Sequence, residues 1–220
     1  MDCDVIAIGE GENTIINLLK AIENKQPLAE VKGIAFLDGG ELVETPKEPL
    51  IKDLDSIPFP AYDLFAMEYY RLLKSSKQRP SEFSMNFISS RGCIFTCNFC
   101  FRMDKGFRCR TPANVVEEIE LLKKDYGVTW KNFHDELLTS SEKRVTLLCE
   151  EFIRSNLNIK WTCNAHLNYA NPNLLALMKR AGCVIINYGI EAFDDQILKT
   201  MDKHLTTAQI VKGIEATLQS

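Results

Sequence analysis

The sequence has no apolar run approaching the roughly 18 residues that a membrane-spanning helix needs. It has no surplus of positive charge either: Lys+Arg 26 against Asp+Glu 30 leaves a formal charge of −4 over 220 residues. Sequence-independent nucleic-acid binding rests on neutralising phosphates, so no nucleic-acid partner is expected. There is no low-complexity tract and no internal repeat. Hydrophobic residues at 45% and charged residues at 25% are ordinary for a globular chain, which excludes disordered and collagen-like classes. The opening Met1-Asp2-Cys3-Asp4 is acidic and lacks the pattern of a signal peptide. The expectation is a soluble cytoplasmic protein with room for one domain or one and a half.

Cysteine is plentiful, with eight in the chain. Cytosolic thiols stay reduced, so the count calls for chemistry rather than disulfides. Cys3, Cys109, Cys149, Cys163 and Cys183 are scattered, most in apolar periodic segments where a free cysteine is a small hydrophobe. Cys93, Cys97 and Cys100 lie together and need another account.

Along the chain, Val5 to Ile8 reads as a strand, followed by Gly9-Glu10-Gly11-Glu12 and a helix with Ile15, Leu18, Leu19 and Ile22 on one face. Gly33–Leu37 and Glu41–Glu44 form a hairpin around Asp38-Gly39-Gly40. Pro46, Pro49, Pro58 and Pro60 then mark an extended connector. From about Ser84 a strand–helix rhythm runs four times. The strands are Met85–Ser89, Trp130–His134, Ile159–Cys163 and Cys183–Tyr188. The intervening helices open at Thr111-Pro112, Ser141 and Asn171-Pro172, and further helices begin near Asp194 and Thr206. Such repetition implies a parallel sheet with right-handed crossovers. Four units do not close a barrel, so the chain is expected to be a piece of something longer.

The chemistry centres on Ser90-Arg91-Gly92-Cys93-Ile94-Phe95-Thr96-Cys97-Asn98-Phe99-Cys100-Phe101-Arg102, a CxxxCxxC directly after a strand. Thiolates suit zinc or iron–sulfur clusters. A structural zinc site wants four ligands, and no second Cys or Cys/His pair is present to complete one. Three cysteines on one loop can hold three irons of a 4Fe–4S cube and leave the fourth open. Chemistry in a parallel β/α barrel gathers at the C-terminal strand ends. The cysteine loop lies there after the first strand, Asp135 and Glu136 after the second, His166 after the third and Gly189-Ile190-Glu191 after the fourth.

The loop resembles the signature of the radical S-adenosylmethionine (radical SAM) enzymes, down to the aromatic Phe99 before the last cysteine. The resemblance spans about Phe83 to Ser220. It implies a partial parallel (β/α) barrel, with Cys93, Cys97 and Cys100 ligating a 4Fe–4S cluster whose open iron binds S-adenosylmethionine. In that family, reductive cleavage of S-adenosylmethionine yields methionine and a 5′-deoxyadenosyl radical. The resemblance puts the Phe99 backbone near adenine and Glu191 near the ribose, with Ala192 where relatives carry serine. It puts Asp135 and Glu136 near the methionine end or substrate, where relatives read Asp-Asp. His166 stands where relatives often carry arginine. Residues 4–12 and the connector Asp53-Leu54-Asp55-Ser56-Ile57-Pro58-Phe59-Pro60-Ala61-Tyr62 are similar to the join between a cobalamin-binding domain and a radical SAM barrel.

The organisation so implied is a Rossmann-like, cobalamin-binding-type remnant over 1–50, a linker over 51–82 and a truncated radical SAM core over 83–220. Cobalamin is implied for the full-length parent, a cobalamin-dependent C-methyltransferase in the leading reading, with a radical cyclase or an RNA methylthiotransferase-like enzyme as the alternative. Partners so implied are a small-molecule substrate and an electron donor such as flavodoxin or ferredoxin. Bland accounts stand beside these: a helix N-terminal carboxylate for Asp135 and Glu136, an ordinary cap for Glu191 and a solvated loop position for His166. The basic run Arg102, Lys105, Arg108 and Arg110 reads as a solvated face, and Cys109, close to the loop, stands as a candidate extra ligand. A non-enzymatic iron–sulfur carrier, a zinc module and an inactive truncated product are the rivals from other classes.

Overall fold

The computed structural model describes residues 3–73, 78–101 and 106–220. Two units are present, Met1–Ile57 and Pro58–Ser220. In the first, strand β1 (Val5–Ala7) is followed by helix α1 (Gly11–Glu23) and the hairpin β2 (Ile34–Asp38) and β3 (Glu41–Glu44). The order is β1-β2-β3 with antiparallel pairing throughout. Helix α1 buries Leu18 and Ala21 against Val31 and Ile34. Ile15, Leu19 and Ile22, expected on its inner face, are about half exposed. The sheet is too small to cover more than one stripe of the helix, and Thr14, Leu18 and Ala21 occupy that stripe.

The second unit opens with helix α2 (Met67–Leu72) and the strands β4 (Ser84–Phe87), β5 (Ser90–Cys93) and β6 (Gly106–Cys109). Helix α3 (Pro112–Tyr126), strand β7 (Trp130–Phe133), helix α4 (Glu142–Arg154), strand β8 (Lys160–Ala165) and helix α5 (Pro172–Arg180) follow. Strand β9 (Cys183–Tyr188) and helices α6 (Asp195–Thr200) and α7 (Thr207–Leu218) complete it. Strands β4-β7-β8-β9 pair in sequence order, all parallel, as expected for a partial (β/α) barrel.

Local signals explain the helix boundaries. Thr111, Ser141, Asn171, Asp194 and Thr206 each accept a hydrogen bond from an N–H of the first turn of the helix they precede. Gly127 ends α3 in the left-handed conformation at φ +70°. Apolar faces of α3, α4 and α5 meet one side of the sheet, where Ile119, Leu148, Phe152 and Met178 pack with Phe133 and Trp161.

Three sequence expectations shift. The third strand runs Lys160–Ala165 rather than Ile159–Cys163, because Ile159 and Leu157 turn into the core before pairing begins. The stretch 51–82 is not all connector: Tyr62 and Met67 bury with Phe83, Leu122 and Val128, and the Tyr62 hydroxyl donates to Glu118 on α3. The first strand also does not run straight into the cysteine loop. Ser90–Cys93 leaves the parallel sheet and pairs antiparallel with Gly106–Cys109.

Candidate active site

The β5–β6 ribbon carries the cysteine loop at the C-terminal end of β4. Register pairs Cys93 with Gly106 and Ser90 with Cys109. Gly92 sits at φ +82°, and a Cβ there would lie 2.2 Å from the Gly106 carbonyl oxygen. Only glycine allows the two backbones this approach. Cys93 is half-buried, Cys97 buried and Cys100 exposed, all as free thiols. Burial pushes the Cys93 thiol up from its ordinary value. A hydrogen bond from the Phe95 backbone opposes this, while Glu136, Cys97 and Cys100 reinforce it. Cys109 is exposed at the far end of the ribbon from Cys93, away from the three.

Behind the ribbon, Asp135 is 1% exposed. It accepts from the Ser89 N–H (3.2 Å), the Ser89 hydroxyl (2.8 Å) and the Ser90 hydroxyl. Its oxygens face these serines rather than an open site. Glu136, next in sequence, is exposed and points its charge toward the cysteines' surroundings.

The tip of the loop docks on the connection between α6 and α7. Asn98 donates from its backbone to Met201 O (3.1 Å) and from its side chain to Thr200 O (2.7 Å). Thr96 donates to Asp202, and its hydroxyl lies 3.2 Å from His204 Nε2. Phe95 stacks on His166 with centroids 4.1 Å apart. His166 is 4% exposed, which removes the reading of a solvated loop residue. Its Nδ1 accepts from the Asn168 N–H and its Nε2 donates to the Lys203 carbonyl (3.2 Å). Burial pushes its pKa below the ordinary histidine value, and the nearby Lys203 and His204 charges add to this against the Lys203 hydrogen bond.

Lys203 is the residue that sequence reasoning missed. It is buried, with Nζ 3.4 Å from Glu191 Oε1 and 5.7 Å from the centroid of the half-exposed Phe99 ring. Glu191 itself holds a left-handed φ of +69°. A Cβ on Gly189 would come within 2.7 Å of Glu191 Oε1 and 3.2 Å of Lys203 Nζ, so that glycine leaves the space in which the pair meets. A lysine twelve residues beyond Glu191 carries no local signal; α6 folds it back.

Arg102 and Lys105 of the basic run lie outside the described residues. Arg110 is no solvated residue: it pairs with Glu118, donates to Ile88 O and stacks over Phe59 and Phe87. Among the described residues no three His, Cys, Asp or Glu side chains group closely enough to hold a single metal ion. The donor set of the loop is three thiols, the soft type that iron–sulfur clusters take, each ligand serving a different iron. That set fits a cluster.

Comparison with known proteins is decisive for the family. The model of the radical SAM superfamily matches residues 87–220, the whole cysteine loop and everything after it. The chain belongs to the radical SAM superfamily. It is 36% identical over 220 residues to the anaerobic magnesium-protoporphyrin IX monomethyl ester cyclase of Cereibacter sphaeroides, covering 96% of this chain and 35% of that protein. It is 30% identical over 215 residues to an uncharacterized methyltransferase of Pyrococcus horikoshii, covering 96% and 45%. Among solved structures, the cobalamin-dependent S-adenosylmethionine radical enzyme OxsB with aqua-cobalamin and S-adenosylmethionine bound superposes with a TM-score of 0.79 at 21% identity. That match covers 97% of this chain and 31% of OxsB. The radical S-adenosylmethionine methyltransferase TsrM from Kitasatospora setae gives 0.77 at 18%, covering 98% and 44%. These two share its fold. The radical SAM chain spans less than half the length of each of these relatives. No helix among the described residues is long and apolar enough to cross a membrane.

Proposed function

We propose that this chain forms the cluster- and S-adenosylmethionine-binding core of a radical SAM enzyme, with Cys93, Cys97 and Cys100 as the cluster ligands. The observation that carries it is the cysteine loop itself, held on a ribbon at its base and docked at its tip, with three free thiols. Bound there, a reduced 4Fe–4S cluster supplies one electron for breaking the C–S bond of S-adenosylmethionine. Phe99 offers backbone and ring to the adenine. Glu191 serves the ribose hydroxyls. Lys203, held by Glu191 beneath the Phe99 ring, supplies a cation for the methionine carboxylate. His166, neutral and stacked on Phe95, supports the loop from below instead of contacting the cofactor. Glu136 remains the open carboxylate on the substrate side, and Asp135 acts behind it.

For the parent protein we read a cobalamin-dependent methylation of an unactivated carbon, with the 3–57 unit belonging to the cobalamin-binding side. Support comes from the Pyrococcus horikoshii methyltransferase among the relatives described and from the fold shared with OxsB and TsrM. The 36% identity to a magnesium-protoporphyrin ester cyclase favours radical ring formation as the second reading. An electron donor such as flavodoxin or ferredoxin and a small-molecule substrate complete the scheme.

The test is anaerobic reconstitution with iron and sulfide, dithionite reduction, and EPR with and without S-adenosylmethionine. A reduced-cluster signal that shifts on adding S-adenosylmethionine, and vanishes in Cys97→Ala, is the expected result. A cluster indifferent to S-adenosylmethionine would make the chain an electron carrier. Tight zinc binding without any cluster would overturn the reading.

A further inference from the structure

We infer that Asp135 and Arg144 are positioning residues that build the cysteine loop before any cluster arrives. This rests on the reading of the loop as a cluster site, and it concerns residues that touch neither cluster nor S-adenosylmethionine.

The chain reverses abruptly between β4 and β5. Phe87 pairs in the parallel sheet, and Ser90 already belongs to the antiparallel ribbon. Ser89 and Ser90, 0% and 2% exposed, make this corner. Turning a chain inside a protein strands backbone polar groups, and each must find a partner. The Ser89 N–H finds Asp135, as do both serine hydroxyls. The Ser89 carbonyl accepts from the Arg110 N–H (2.9 Å), and Arg144 Nη2 donates to the same carbonyl (3.3 Å) and to the Ser89 hydroxyl (2.7 Å). Nη1 of the same guanidinium donates to Leu138 O (2.7 Å), which fixes the fork on the loop between β7 and α4. Arg144 Nη2 lies 3.8 Å from Asp135 Oδ1, and the two side chains are 11% and 0% exposed. On its other side the guanidinium covers the Phe107 ring of β6, 5.5 Å from the centroid. One carboxylate and one guanidinium thus hold both strands of the ribbon.

The sequence cause is visible once the contact is known. Arg144 lies in the first turn of α4, three residues after the cap Ser141, and α4 packs against the sheet beside β7. A buried carboxylate with three donors and a facing guanidinium forms a charge-assisted set, stronger than neutral hydrogen bonds. A planar fork reaching three acceptors is something lysine cannot reproduce. The geometry therefore assigns to this pair the orientation of Cys93, three residues beyond the corner. The glycine at 92 then carries the chain to the first ligand.

The experiment uses the whole chain, first without and then with iron. In the apo protein, the rate of iodoacetamide modification is followed at each cysteine by mass spectrometry. Exposed Cys100 is the reference, and buried Cys149 and Cys163 report the integrity of the core. Arg144→Gln and Asp135→Asn are expected to raise the Cys93 rate roughly tenfold, the order set by losing one charge-assisted contact. Cys149 and Cys163 stay protected in both, and Arg144→Lys falls between wild type and Arg144→Gln. After reconstitution, the same variants are expected to release iron to a chelator faster and to broaden the reduced-cluster EPR signal. Wild-type Cys93 rates in both variants would overturn the assignment. So would simultaneous exposure of Cys149 and Cys163, which would make the pair a support of the fold at large. If wild type takes up no cluster, the proposed function fails, while the apo modification rates still decide the role of Asp135 and Arg144.

Discussion

At the scale of residues, the most telling side chain outside the site is Lys131. It is fully buried on β7, its Nζ has no hydrogen-bond partner among the described residues, and it lies 5.3 Å from the Phe87 ring centroid. Burial drives its pKa down to about 7, with the Glu118 carboxylate opposing. An unfolded lysine titrates near about 10.4, so between these values the unfolded chain holds the extra proton. Stability from this group is therefore present above about pH 10.4 and is lost as pH falls toward 7. Lys131→Met is expected to raise stability at pH 7 by roughly 1–3 kcal/mol, the cost of burying an unsatisfied polar group. It should also flatten the rise between pH 7 and pH 9.5. Urea unfolding of both proteins at the two pH values checks this; identical slopes would mean Lys131 is solvated.

Gly92 makes a second prediction at this scale. Gly92→Ala meets both a left-handed φ and a Cβ within 2.2 Å of a backbone oxygen that cannot move aside. The ribbon should open at Cys93, and cluster uptake should fall while the helical circular-dichroism signal is kept. Unchanged iron content would show that the ribbon is not needed. The pattern CxxxCxxC marked the superfamily from sequence alone because cluster chemistry constrains the spacing of its cysteines. Asp135, His166 and Lys203 were not legible in the same way. Whether a polar residue at a strand end faces a ligand or a neighbouring loop depends on its packing, and Asp135 faces Ser89 and Ser90.

At the scale of elements, the helices of the second unit were readable because their caps are local. Thr206 accepts from Gln209 N–H while the Gln209 side chain returns to the Thr206 N–H, a reciprocal capping box. Thr206→Ala should cost about 1 kcal/mol, measured by thermal unfolding, and should leave the cysteine loop unaffected. The β5–β6 ribbon was not readable. Its strands, Ser90–Cys93 and Gly106–Cys109, are short, glycine-bearing and without alternation, and their pairing follows from the serine corner and from Gly92. The burial of residues 58–73 is likewise not legible locally, because prolines signal extended chain but do not reveal that Tyr62 will bond Glu118.

At the scale of the whole molecule, β9 has a partner on one side only among the described residues. Val184 on it is 46% exposed. An open strand edge is a template for pairing with another chain, so these 220 residues, prepared by themselves, are expected to self-associate at high concentration. Val184→Lys should shift the sedimentation profile toward monomer; no change would mean that the edge is not the contact.

Sequence by itself determined the superfamily, the parallel β/α rhythm and nearly every helix start. These rest on spacing, periodicity and capping, which act over a few neighbouring residues. Tertiary structure alone decided that Asp135 holds the ribbon, that His166 is buried beneath Phe95 and that Lys203 returns to Glu191. It also decided that residues 58–73 join the core of the second unit. Those contacts join positions far apart in the chain, and only the packing of helices on the sheet brings their partners within hydrogen-bonding reach.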